Sequence, residues 1–198
     1  MTEQSPNNPD IEPLTRTQVL VAMGVTAIVL LVIAKLWLQL GRLTLLPVSH
    51  PTTAIPLGLA LGIGITVASS VVYRVWPAYR RSADIYLELV LKPLWWPDLI
   101  WLGLLPGLSE ELLFRGVMLS ALGLNLTGLI LSSLCFGVLH LSGLQQWPYV
   151  FWATVVGFIL GISALETNNL LIPIVAHIST NLISSIIWKW EHKNLRTL

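Results

Sequence analysis

The sequence predicts an all-α protein, a polytopic membrane helix bundle of about six transmembrane helices. Three observations carry that expectation. Hydrophobic residues make up 55% of the 198 residues, charged residues 11%, and the mean hydropathy is +0.75, a balance foreign to water-soluble domains. Apolar runs of roughly 20 residues, the length a helix needs to cross about 30 Å of hydrocarbon, recur along the whole chain. Lysines, arginines and tryptophans gather at one predicted face, as they do in oriented membrane proteins.

In order along the chain, residues 1–16 are polar and Pro-rich, with Glu3, Asp10 and Glu12 against Arg16. They lack the basic stretch, short apolar core and small-residue site of a secretory signal, and read as a disordered cytoplasmic tail before a retained first span. Candidate spans follow at about Val19 to Leu40, Ala54 to Val75, Asp98 to Leu122, Leu124 to Leu141, Pro148 to Leu165 and Leu170 to Trp188. Between the second and third, Arg80 to Trp96 mixes charges with Ile85, Leu87, Leu89 and Leu91, which suits an interfacial segment or, nearly as well, a loop, with Pro93 ending it. The chain thus divides into a tail over 1–16, two N-terminal helices and the interfacial segment over 17–93, a core over 94–190, and a cytoplasmic tail over 191–198.

Six spans put Arg16, Arg74, Arg80, Arg81, Lys92, Lys189, Lys193 and Arg196 on one side, eight of the 11 basic residues. That side is predicted to be cytoplasmic, with both termini on it. Trp76, Trp95, Trp96, Trp147, Trp188 and Trp190 fall at the same face, as an interfacial belt would. A net charge of +1 points to no nucleic acid and to no strongly acidic partner. The single cysteine, Cys135, excludes an intramolecular disulfide. Gly58, Gly62 and Gly64 in the second span favour close helix packing.

Against this background Glu110, Glu111, Arg115, His140, His177 and Asn181 stand out. Each ionisable group at membrane depth costs about 2.5 kcal/mol or more, and such groups face the protein interior and mark function. Residues four apart share a helix face, so Glu111 and Arg115 can pair. Glu110 is turned about 100° from Glu111 and about 140° from Arg115. It is left free to face a cavity as a general base, where burial favours a raised pKa. Pro106 and Gly107 just upstream are expected to loosen the helix and admit water. His177 and Asn181 also repeat at four, and His140 follows Phe136 by one turn. Three helices thus offer a carboxylate, an imidazole, and an imidazole with a carboxamide, enough to polarise a water, receive its proton and hold an oxyanion. A thiol nucleophile paired with His140 is disfavoured, because five helical residues set Cys135 about 140° away.

The three motifs, E-E-x-x-x-R over Glu110 to Arg115, F-x-x-x-H over Phe136 to His140 and H-x-x-x-N over His177 to Asn181, resemble in order and separation those of the CPBP intramembrane proteases. That group, of CAAX proteases and bacteriocin-processing enzymes, is also called Abi. The resemblance covers roughly Leu94 to Trp188, a four-helix catalytic core. It implies a metal-independent, glutamate-dependent endopeptidase that uses no cofactor. Glu110 and His140 would activate water, His177 and Asn181 would form the oxyanion hole, and Glu111, Arg115 and Phe136 would support them. The implied partners are the lipid bilayer and a peptide or protein substrate, prenylated at a CAAX-type terminus or unmodified, entering from the cytoplasmic side. Two rival readings stand beside it. Glu110, His140 and His177 form a His₂Glu set that suits zinc, although no HExxH motif accompanies it. The same cluster would also serve as the structural network of a non-catalytic membrane scaffold.

Overall fold

The computed structural model describes residues 14–193; all but the last three residues of the expected N-terminal tail, and the tail beyond residue 193, lie outside that range. Among the described residues there are seven helices and no strand. They are α1 (Arg16–Gly41), α2 (Pro51–Val75), α3 (Pro77–Leu91), α4 (Asp98–Glu111), α5 (Leu126–Leu139), α6 (Trp147–Thr167) and α7 (Leu171–Lys193). After Glu111, α4 continues without a break through a π-helical stretch, Leu112–Met118, and a last α-helical turn, Leu119–Leu122.

Local chemistry sets the ends. Thr15 and Gln18 form a reciprocal capping box at the start of α1. Pro51 and Pro77 open α2 and α3, where a missing N–H costs nothing. The Asn125 side chain accepts from Gly128 N at 3.1 Å to cap α5, just after Gly123 turns the chain with φ 103°. α3 ends at Leu91, two residues before Pro93, where the interfacial segment was expected to stop.

By length and composition α1, α2, α6 and α7 can each cross a membrane. This is an integral membrane protein. The expectation of six spans is not met by that measure, for two physical reasons. α4 carries Asp98, Glu110 and Glu111. α5 has 14 residues, about 21 Å of helix against a hydrocarbon core of about 30 Å.

α7 lies at the centre, packed against α2 on one side and α4 on another, while α5 pairs with α6 and α1 runs along α4. Leu30 and Ala34 of α1 meet Leu113, Phe114 and Val117 of the π stretch, Phe136 of α5 and Ala153 of α6 in one apolar cluster. A second cluster joins Leu119, Leu129, Ala164 and Ile174. One end of the bundle is tied by polar contacts. Arg16 grips Asp98 with two hydrogen bonds of 2.7 Å, Asp98 also accepts from Trp95 N, and the Arg16 guanidinium lies 4.2 Å over the Trp95 ring. At that end Lys189 donates to the Leu94 carbonyl.

Two of the three glycines in α2 do what small residues do in membrane helices. A Cβ on Gly58 would lie 2.6 Å from that of Val175, and one on Gly62 would lie 2.7 Å from the Ala176 carbonyl oxygen and 2.0 Å from Ser179 Oγ. Gly64 meets nothing within 4 Å. We expect Gly62→Val to destabilise the bundle by about 1–3 kcal/mol, because α7 backbone must move aside, while Gly64→Val leaves it intact. Thermal unfolding of both variants in detergent checks the contrast.

Candidate active site

Glu110 and Glu111 occupy the last two α-helical positions of α4, and Arg115 lies inside the π stretch that follows. π-helical turns are frequent at functional sites. Here the irregularity begins after the glutamates. Pro106 and Gly107 do not loosen the helix as the sequence suggested, since α4 is regular through both. Gly107 is instead a contact for α7, because a Cβ there would lie 2.5 Å from Ile178 Cγ1.

The neighbouring carboxylates meet different partners. Glu111 and Arg115 are fully buried, with Arg115 Nη1 donating to Glu111 Oε1 at 2.6 Å. The same oxygen accepts from His177 Nδ1 at 2.8 Å, so α7 joins the pair. Arg115 Nη2 donates to the Gly157 carbonyl of α6 at 2.9 Å, and the guanidinium lies 4.2 Å over the Phe136 ring of α5. Glu111 is thus shared, where the sequence offered only the i,i+4 pair. Gly157 was missed entirely. A backbone acceptor has no side-chain signature, and the glycine is legible only in space: a Cβ there would lie 3.3 Å from Arg115 Nη2 and 3.2 Å from Phe136.

Glu110 faces the other way. It is 7% exposed, and its Oε2 lies 3.9 Å from His140 Nε2 without a hydrogen-bond partner among the described residues. His140 terminates α5 with φ −89° and ψ 7°, and its Nδ1 lies 2.9 Å from the Phe136 carbonyl oxygen. A carbonyl can only accept, so Nδ1 carries a proton, and Nε2 is the ring nitrogen that faces Glu110. At 3.9 Å the two atoms are too far apart for a direct hydrogen bond and near enough for one water, set to the side of the line between them, to bond both.

Phe136 packs among these groups. Its centroid is 5.0 Å from that of His140, 5.7 Å from His177 and 5.5 Å from Phe114. Asn181 is half-buried one turn beyond His177, and no hydrogen bond joins it to the other site residues among those described. Cys135 is exposed, away from the cluster. Among the described residues no three His, Cys, Asp or Glu side chains converge to hold a metal ion, so Glu110, His140 and His177 do not come together as the His₂Glu set the sequence allowed.

Fold and site together define a helical integral membrane protein with a buried carboxylate and imidazole cluster spread over four helices. Residues 92–183, the segment that holds all three motifs, match the family described as Type II CAAX prenyl endopeptidase Rce1-like. The chain is also similar to the "Uncharacterized protein YpbD" of Bacillus subtilis (strain 168), with 27% identity over 135 residues, 68% of this chain and 69% of that protein. No solved structure matches.

Truncating one member of a buried ion pair leaves the other charge uncompensated, at about 3–5 kcal/mol. Glu111→Gln is therefore expected to lower stability by that order, whereas Glu110→Gln, whose carboxylate pairs with no cation other than a protonated His140, leaves the unfolding midpoint little changed. Parallel thermal melts of the two purified variants read the difference.

Proposed function

We propose that this protein is an intramembrane, glutamate-dependent endopeptidase that hydrolyses a peptide bond near the cytoplasmic face. The observation that carries the reading is the 3.9 Å separation between Glu110 Oε2 and His140 Nε2, a distance one shared water can bridge. Glu110 and His140 polarise that water and take its proton as its oxygen attacks the peptide carbonyl carbon. The carbonyl oxygen gains negative charge in the tetrahedral intermediate. His177 and Asn181, one turn apart on α7, supply its donors. With His177 Nδ1 donating to Glu111, its Nε2 donates to the oxyanion only when the ring carries both protons. As the C–N bond breaks, the proton held by Glu110 passes to the leaving amine, and the carboxylate is restored.

Glu111, Arg115 and Phe136 hold this arrangement without touching the substrate. No step calls on a metal. With α4 and α5 completing six crossings, both termini lie on the cytoplasmic side, where Arg74, Arg80 and Arg81 flank the elbow between α2 and α3. The substrate is a peptide or protein in or at the membrane. The description of the matched family points to CAAX termini, and prenylation is what the assay must resolve.

Glu110→Gln keeps the shape and removes the base, so cleavage should fall at least about 10²-fold while insertion and folding persist. The assay uses purified protein in detergent with fluorogenic CAAX peptides, farnesylated and unmodified, and a proteomic comparison of cells carrying the parent or the variant covers other substrates. Retained cleavage, or retained cellular function, by Glu110→Gln would sink the proposal in favour of a scaffold. A strong chelator such as phenanthroline is expected to leave activity intact; its loss would point to zinc.

A further inference from the structure

His140 sits where its helix ends, and its backbone does little to fix its side chain. The chain leaves α5 at this residue and runs on through Leu141, Ser142 and Gly143, all exposed. One hydrogen bond to the Phe136 carbonyl sets Nδ1. A second support comes from α6: the Tyr149 ring lies 6.1 Å from the imidazole centroid at an interplanar angle of 52°. Tyr149 is in turn stacked on Tyr86 of α3 at 4.7 Å and 27°, and lies parallel to Tyr79 at 6.1 Å and 3°.

Close packing fixes this stack relative to His140. A Cβ on Gly137, one turn before His140, would lie 1.9 Å from Thr154 Oγ1 and 3.0 Å from the Val150 carbonyl oxygen, so α5 and α6 touch backbone to backbone beside Tyr149. Both phenols lie within reach of the Glu110 charge. Burial, with that charge adding to it, pushes the Tyr86 phenol up to about 12, so it puts no second anion beside Glu110 at neutral pH. Neither the Tyr86 nor the Tyr149 hydroxyl has a hydrogen-bond partner among the described residues, and what Tyr149 gives His140 is its ring.

We propose that Tyr149, backed by Tyr86, is a positioning residue that holds the His140 imidazole with Nε2 turned toward Glu110. This rests on the reading of His140 as a water-activating group. It also makes α3, which carries none of the three motifs, a part of the site through an aromatic chain from Tyr79 and Tyr86 to Tyr149 and His140.

The test reads the imidazole directly. The full chain is labelled with ¹⁵N-histidine in detergent micelles, and the His140 signals are assigned by their loss in His140→Gln. Above the imidazole titration, the parent and Tyr149→Phe should show His140 as a single Nδ1-protonated tautomer, whereas Tyr149→Leu should show a mixture of both. In the peptide assay Tyr149→Leu should lower kcat about tenfold or more with KM changed by less than about threefold, and Tyr149→Phe should recover most of the loss. A single tautomer in Tyr149→Leu overturns the proposal, and so does a mixture in Tyr149→Phe, which would assign the effect to the hydroxyl. If Tyr149→Leu does not fold, Tyr149→Met, ringless but of similar reach, takes its place. The tautomer is read without turnover, so an active Glu110→Gln would remove the peptidase reading and leave the positioning result to stand or fall by itself.

Discussion

One buried carboxylate organises the catalytic half of this bundle. Glu111 has no exposed surface, and its Oε1 accepts from Arg115 on its own helix and from His177 on α7. Arg115 reaches on to the Gly157 carbonyl of α6 and covers the Phe136 ring of α5. Four helices therefore meet around a single negative charge. Burying an ion costs several kcal/mol, which is offset only when its partners are close and well directed. That requirement makes the arrangement specific: if any of the four helices slid by a turn, a charge or a donor would be stranded.

With that frame in place, the adjacent carboxylate can be given a different task. Glu110 shares the helix and the burial of Glu111 but has only a half-exposed imidazole nearby, at a distance that suits solvent. Two glutamates side by side in sequence are thus separated by environment, one held by Arg115 and His177 and the other without a hydrogen bond to its Oε2 among the described residues. His140 and His177 divide in the same way. Each commits Nδ1, one to a backbone carbonyl within its own helix and one to a carboxylate from another helix.

Much of this was legible in the sequence because it depends on angles along one helix. The 100° step separates Glu110 from Glu111, and the spacing of four pairs Glu111 with Arg115 and sets His177 and Asn181 on one face. What lay beyond reach depends on other helices. Nothing in a spacing of four announces that His177 shares Glu111, or that Gly157 offers its carbonyl. Nor does hydropathy tell that Gly107 is a contact rather than a hinge, since both readings ask for a residue without a side chain. Helix length leaves the expected six crossings unconfirmed for a related reason. An apolar run from Leu124 to Leu141 has the composition of a span, but Asn125 caps the helix late and His140 leaves it early.

That early exit has a consequence for the lipid. A helix of 14 residues falls short of the hydrocarbon thickness by about 9 Å, and the membrane makes up such a shortfall by thinning beside it. The headgroup layer then dips toward the point where α5 stops, and carries hydration down with it. Where α5 crosses the bilayer, the abbreviated helix would in this way draw a shallow, hydrated funnel down toward His140.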